Sequence, residues 1–233
     1  MRTLLIPLLL TLPALSDTYI HNSTISNSII GSNISNTTSS RSSGTLSTKT
    51  VHLGKIFNSI AINLPANITI HHSPKQSMTI TMEKKFLKNI STSINNNQLN
   101  IATIGSINTR SKINITINMP LLSGLDVRST AKVTVNNFNI NSFKLSTAGT
   151  SRVTFLSGRV QNFFLNSSGT SKISLEAIDV KNATIVSKGT SKTRIKVDHK
   201  LNVDLSNIAK VMYIGNPIIN KKLTGLGKLI KIQ

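Results

Sequence analysis

Four stretches in the middle of the chain repeat at a spacing of twenty residues, and each has a basic residue at the same place. They are S-T-A-K-V-T-V (129–135), G-T-S-R-V-T-F (149–155), G-T-S-K-I-S-L (169–175) and G-T-S-K-T-R-I (189–195). Two looser copies follow at a spacing of eighteen, around Lys210 and Lys228. A fixed period near twenty is typical of a solenoid, in which each repeat forms one rung stacked on the next.

Within each repeat, apolar residues alternate with polar residues on both sides of a small-residue corner. Alternation with period two, rich in β-branched and aromatic residues, indicates half-buried strands. Inward-facing positions are expected to form columns through consecutive rungs. One column is predicted at Phe155, Leu175 and Ile195, and another at Phe143, Phe163 and Leu201. Twenty residues at about 3.3 Å each, folded around corners, make one coil of a β-helix.

The corner between the two strands contains Gly149, Gly169 and Gly189 in successive rungs. We expect positive φ at these glycines, because glycine adopts the left-handed region without steric cost. Asn207 takes the same place in the next copy, and asparagine is the next most tolerant residue. The sequence therefore predicts an all-β, single-domain parallel β-helix with rungs of about 20 residues.

Composition excludes several kinds of chemistry. The 233 residues include no cysteine, which rules out disulfides, iron–sulfur clusters, thiolate zinc sites and cysteine nucleophiles. The glycines recur once per rung and form no phosphate-binding loop, and no G-x-S-x-G motif occurs. No cofactor is expected.

The N-terminus has the pattern of a secretory signal peptide over residues 1–16. Arg2 precedes an apolar run from Leu4 to Leu15, and Ala14-Leu15-Ser16 is a small-x-small cleavage site. An uncleaved anchor is the alternative. The apolar run is too short for a membrane-spanning helix, and no later segment is long enough. We expect export to the periplasm, the outer surface or the medium.

Residues 17–50 are rich in serine, threonine and asparagine, and we expect a flexible segment there. Its scattered isoleucines leave a crude extra rung as the alternative. From Val51 the strand pattern becomes dense, so the β-helix domain is placed at 51–233. Early strands are predicted around 61–64, 67–70, 78–82, 98–101 and 112–120.

Three motifs resemble one known bacterial family in the order in which they occur. They are K-I-N-I-T-I-N-M-P-L-L-S-G-L-D-V (112–127), the G-T-S-K rungs, and Y-I-G-N-P (213–217) with T-G-L-G-K (224–228). Over roughly 52–230 the chain is similar to the putative auto-transporter adhesin, head GIN domain family. The resemblance implies an exported right-handed parallel β-helix. It also implies that Tyr213, Gly215 and Pro217 determine the fold and have no catalytic role.

Catalysis by a β-helix polysaccharide lyase or hydrolase would need clustered carboxylates. The chain has 7 acidic residues, and Glu176 and Asp179 are the closest pair within the repeats. We expect nearby Lys172 and Lys181 to neutralise them. His71 and His72 are adjacent, and neighbouring residues of a strand point to opposite faces, so no metal site is expected there.

The net charge is +20, from 27 basic and 7 acidic residues. We define the basic ladder as the six basic residues that recur once per rung. In a parallel β-helix, equivalent residues of successive rungs lie about 4.8 Å apart, so these side chains should form a row of like charges. The ladder consists of Lys132, Arg152, Lys172, Lys192, Lys210 and Lys228.

Two interpretations of the ladder remain open. It is either a solubility device whose charges are screened by salt, or a strip that binds polyanions such as lipopolysaccharide phosphates or acidic glycans. No aromatic residues interleave the ladder, which argues against specific nucleic-acid binding. The sequence thus favours an exported, non-catalytic, adhesin-like binding or structural module of the cell envelope. A β-helix carbohydrate-active enzyme is the alternative.

Overall fold

The computed structural model describes residues 44–233. These residues are 66% strand and 3% helix and form a β-solenoid of about 5 turns, as the repeats predict. The predicted signal peptide and residues 17–43 lie outside the described residues, and the first strand begins at Leu46, ahead of the boundary predicted at residue 51. No helix among residues 44–233 has the length and hydropathy of a membrane span.

Seventeen strands and one short 3-10 helix, Lys84–Asn89, make up this part of the chain. In chain order the strands are β1 (Leu46–Val51), β2 (Ser59–Asn63), β3 (Asn67–His72), β4 (Ser77–Glu83), β5 (Ile90–Asn95), β6 (Gln98–Thr103), β7 (Asn114–Met119), β8 (Gly124–Val127), β9 (Lys132–Asn136), β10 (Phe138–Thr147), β11 (Arg152–Phe155), β12 (Gly158–Gly169), β13 (Lys172–Gly189), β14 (Lys192–Asn207), β15 (Lys210–Ile214), β16 (Ile218–Leu223) and β17 (Lys228–Lys231).

The solenoid has three walls of parallel strands, of which the middle coils cross all three. The first wall runs in the order β7, β3, β9, β11, β13, β14, β15 and β17, where β13 and β14 contribute their N-terminal ends. The second wall is short and joins the beginnings of β10 and β12 to the middle of β13 and β14. The third wall runs in the order β6, β2, β8, β10, β12, β13, β14 and β16.

The register confirms the predicted columns. Phe143 lies opposite Phe163, which lies opposite Ala183, and the column continues to Leu201. Each of these side chains is at most 1% exposed, as is every member of the Phe155, Leu175 and Ile195 column. The core is therefore a set of apolar stacks that run along the solenoid axis, and each rung buries its inward face against its two neighbours.

The N-terminal end departs from parallel pairing. β4 pairs antiparallel with β7, β1 pairs antiparallel with β4, and β5 forms an antiparallel hairpin with β6. The five early strands expected from the sequence are confirmed, in β2, β3, β4, β6 and β7. The antiparallel additions cover this end of the solenoid, which is the role of a capping element in a repeat fold.

The corner glycines are only partly as predicted. Gly189 has φ +117° and Asn207 has φ +59°, both positive as expected. Gly149 and Gly169 do not lie in the left-handed region, so the prediction of positive φ there is wrong. Glycine is required at 169 for a different reason. A Cβ atom there would lie 2.5 Å from the carbonyl oxygen of Gly149 in the rung before, so close stacking of the corners excludes a side chain.

Candidate polyanion-binding groove

All six ladder residues occupy the same position in the fold, because each is the first residue of its strand on the first wall. Arg152 lies opposite both Lys132 and Lys172, and the register continues through Lys192 and Lys210 to Lys228. The backbone N–H groups of these residues donate to carbonyl oxygens of the preceding rung. Examples are Arg152 N to Ala131 O at 2.8 Å and Lys172 N to Ser151 O at 2.9 Å. The predicted ladder is thus one column of adjacent strands, with a spacing of about 4.8 Å.

Strand alternation turns the ladder outward. The residues on either side of each cation, such as Ser171 and Ile173 around Lys172, are buried. Five ladder side chains are exposed, and Lys210 is half-buried. The column therefore presents its charges to solvent from a rigid parallel sheet.

A groove of about 610 Å³ runs along the corner beside the ladder. One side is formed by four ladder residues, Lys132, Arg152, Lys172 and Lys192, and Lys112 lies at the N-terminal end. The other side is a column of exposed threonines, each two residues before a ladder cation: Thr130, Thr150, Thr170 and Thr190. No carboxylate lines the groove, and neither Lys210 nor Lys228 is part of its lining.

Buried hydroxyl groups hold the corner behind the groove. Thr147 Oγ1 donates to Ser167 Oγ at 2.9 Å, and Ser171 Oγ lies 3.0 Å from the Thr147 and 2.8 Å from the Ser167 oxygen. Ser187 and Ser191 are hydrogen-bonded in the next rung. These hydrogen bonds fix the turn from the third wall to the first at the corners before Lys172 and Lys192. The buried hydroxyl of Ser151, in the corner before Arg152, has no hydrogen-bond partner.

The ladder has no carboxylate partner within residues 44–233. Five ion pairs occur there, and their cations are Lys85, Arg128, Arg194, Lys196 and Lys222. None of these is a ladder residue. The ladder therefore carries its positive charge without local compensation from the described part of the chain.

Glu176 and Asp179 pair with different residues from those expected. Glu176 lies 3.4 Å from Arg194, and Lys196 donates to Asp179 at 2.7 Å. Both partners come from the following rung. Parallel pairing places that rung closer to the two carboxylates than the lysines nearby in sequence. The hydrogen bond from Lys196 lowers the pKa of the Asp179 carboxyl, and the same bond raises the pKa of Lys196. The two carboxylates are thus held in separate ion pairs.

The described residues contain no group of three or more histidine, aspartate or glutamate side chains that could hold a metal ion. His71 and His72 lie in β3 at successive positions. The ring of His72 contacts Phe138 edge-on, with ring centroids 5.5 Å apart.

The family model for the putative auto-transporter adhesin, head GIN domain, matches residues 56–217. The chain belongs to this family. No curated protein matches the chain. The resemblance to the head GIN domain is thereby confirmed over residues 56–217, which include the G-T-S-K rungs and Y-I-G-N-P (213–217). T-G-L-G-K (224–228) lies outside the match.

Solved structures share the solenoid fold. A putative adhesin from Bacteroides fragilis superposes with a TM-score of 0.62 and 21% identity, covering 81% of this chain and 97% of its own. A putative lipid binding protein from Parabacteroides distasonis has a TM-score of 0.51 and 15% identity, covering 82% of this chain and 98% of its own. At these identities the likeness establishes the fold.

Sequence reasoning found the ladder but missed two parts of the groove. The threonine two residues before each of the first four ladder cations is exposed and recurs with the cation, whereas the sequence predicts only a corner of small residues there. Lys112 has no repeat signal, since it enters the groove through the pairing of β7 with β3. The repeat of threonine at a fixed distance from the cation is a signal that could have identified the threonine column. The sequence contains no such signal for Lys112.

Proposed function

We propose that this chain is an exported, adhesin-like module that binds an anionic polymer of the cell envelope through the basic ladder. Acidic glycans and the phosphate-bearing region of lipopolysaccharide are the polymers that fit. Membership of a family described as auto-transporter adhesins supports the adhesin-like role. The proposal includes cleavage of a signal peptide at residues 1–16 and a flexible segment that leads into the solenoid domain predicted at 51–233.

The observation that carries the proposal is the uncompensated, in-register column of six cations. Like charges on adjacent strands about 4.8 Å apart repel one another unless counterions or a polyanion neutralise them. Binding of a polyanion would release those counterions. This release favours binding, and its contribution to the affinity decreases as the salt concentration rises. A solubility role alone would need neither a shared register nor a groove free of carboxylates.

The alternative of a carbohydrate-active enzyme has less support. Such enzymes use carboxylates that act together on one bond, whereas Glu176 and Asp179 each pair with a separate cation. A binding module without catalysis is therefore the function that the arrangement favours.

The test compares two double charge reversals of equal net charge. Arg152→Glu with Lys172→Glu removes the centre of the ladder, and Lys84→Glu with Lys221→Glu changes two exposed lysines elsewhere. We expect the ladder variant to elute from heparin and from immobilised lipopolysaccharide at much lower salt than the scattered variant. Its binding should also depend less steeply on salt concentration.

Equal loss of retention in the two variants would mean that only the overall charge of the protein attracts polyanions. The ladder would then be a solubility device. Circular dichroism and thermal unfolding of both variants establish that each remains folded, so that retention reports the surface and not the fold.

A further inference from the structure

We infer that the ligand is a linear polymer carrying phosphate or sulfate esters, that it lies parallel to the solenoid axis in the groove, and that threonine hydroxyls bind its oxyanions together with the cations. This inference rests on the proposed function of the ladder. It goes further, because it assigns different roles to the ladder residues. The four ladder cations that line the groove bind the polymer, whereas Lys210 and Lys228 lie beyond the binding site.

The direction of the ligand follows from the direction of the columns. The groove lining spans six adjacent strands, from β7 through β3, β9, β11 and β13 to β14. Five strand spacings of about 4.8 Å give a length of about 24 Å along the axis. Cations and threonines both recur along this axis in the four rungs of β9, β11, β13 and β14, so a chain that follows it meets the same pair of groups four times in succession.

The pairing of a threonine with a cation suits a tetrahedral ester. In each of these rungs the threonine and the cation are both exposed and both line the groove, whereas the residue between them is buried. A phosphate or sulfate ester has several free oxygens in different directions, and can accept from an ammonium group and a hydroxyl group at once. A carboxylate has two oxygens in one plane. A single guanidinium such as that of Arg152 satisfies both of them.

The closing rungs provide a natural contrast. Ile208 and Leu226 stand two residues before Lys210 and Lys228, in the position that threonine holds in the four rungs before, and they are 57% and 67% exposed. The charge column therefore continues for two rungs after the hydroxyl column has ended. An apolar side chain cannot donate to an oxyanion, so the combined site ends at Lys192.

The N-terminal end of the groove is closed by a further cation. The ladder column continues there with Asn67 and Asn114, which lie opposite each other and are joined by a side-chain hydrogen bond of 3.0 Å. Lys112 stands two residues before Asn114, in the threonine column, and is exposed. Lys112 therefore supplies a positive charge at the end of the groove where neutral asparagines occupy the ladder column.

Three double variants separate these contributions. Arg152→Gln with Lys172→Gln removes two charges inside the groove, and Lys210→Gln with Lys228→Gln removes two from the same column outside it. Thr150→Val with Thr170→Val keeps shape and strand preference but removes two hydroxyl donors. The probes are heparin fragments of graded length for sulfate, inorganic polyphosphate for phosphate, and polygalacturonate for carboxylate.

We expect the Kd for heparin fragments and polyphosphate to rise by at least about tenfold in the groove charge variant and by about tenfold in the threonine variant. It should change much less, by about twofold, in the Lys210 and Lys228 variant, because neither side chain lines the groove and only longer-range attraction is lost. Binding of polygalacturonate should be unaffected by the threonine changes. Affinity for heparin should increase with fragment length until the fragment spans about 24 Å, and then level off.

Equal weakening by the inner and outer charge variants, or unchanged affinity in the threonine variant, would overturn this inference while leaving polyanion binding by the ladder intact. Failure of the unaltered protein to bind any of the three polymers would instead overturn the proposed function itself. A heparin response with no polyphosphate response would identify sulfated glycans as the source of the ester, and the reverse would identify phosphate polymers. Thermal unfolding of each variant confirms that the solenoid is intact.

Discussion

The inward-facing columns of the middle rungs continue into the closing rung, but charged side chains replace some of the apolar ones there. Val203 is 4% exposed, and the next residue of its column is Lys221, which is exposed. Tyr213 is likewise followed by Lys231 in β17. Backbone pairing therefore extends one rung past the end of the apolar core. Strand pairing needs a neighbour on one side only, whereas burial of an inward side chain needs a rung on each side.

The lysines of the closing rung also have a protective role. β16 and β17 are edge strands with one paired neighbour each, and unpaired backbone groups on an edge invite pairing with other chains. Charged residues at inward positions of an edge strand discourage such pairing. The middle of the solenoid therefore has both hydrogen-bonded register and a closed core, whereas the closing rung has only the first.

The largest effect should come from removing a large side chain in the middle of a column. Phe163 is 1% exposed, and its ring stacks on that of Phe143 with centroids 6.2 Å apart. Phe163→Ala should lower the free energy of unfolding by about 3–5 kcal/mol, because it leaves a cavity between two rungs. Ile219 belongs to the same column in the closing rung but is 38% exposed. Ile219→Ala should cost about 1 kcal/mol or less.

Urea unfolding followed by circular dichroism measures both variants. Similar losses at the two positions would show that the closing rung is as well packed as the middle, and the contrast between them would be wrong.

An intermediate effect is expected at the corners, where the two regions use glycine for different reasons. A side chain at 169 would collide with the carbonyl oxygen of Gly149, so Gly169→Asn should destabilise by about 1–3 kcal/mol. Gly225 holds the equivalent corner in the closing rung with φ +64°, close to the +59° of Asn207. Gly225→Asn should therefore cost less than about 1 kcal/mol, since asparagine tolerates this region.

Melting temperatures of the two asparagine variants test this difference directly. The opposite order, with Gly225→Asn the more harmful, would mean that backbone conformation outweighs close stacking of the corners.

The smallest effect on stability is expected at Lys221. Lys221→Leu should change the free energy of unfolding by no more than about 0.5 kcal/mol, because no rung covers this position. It should instead promote self-association in sedimentation experiments, since an inward charge is lost from an open edge. Stabilisation by several kcal/mol with no change in association would contradict the assignment of β16 as an uncovered edge.

The ladder illustrates how far sequence alone leads to the candidate site. The equal spacing of Arg152 and Lys172 predicted that they are neighbours across a strand pair, and they are. The sequence predicts Lys172 and Lys181 as the partners of Glu176 and Asp179, and this is wrong, because the partners are Arg194 and Lys196. Proximity in sequence is a poor guide to contacts in a solenoid, because the rung about twenty residues away is closer than the far end of the same rung.

The sequence by itself determined the period, the inward columns and the outward row of charge, since each is a repeated local pattern that parallel pairing copies from rung to rung. Only the tertiary structure decided how the pattern is closed at its ends and what accompanies the charges. β3 lies between β7 and β9, out of chain order, and this arrangement brings Lys112 to the end of the groove. No periodic signal encodes such an insertion, because it depends on which distant strands pair once the core has formed.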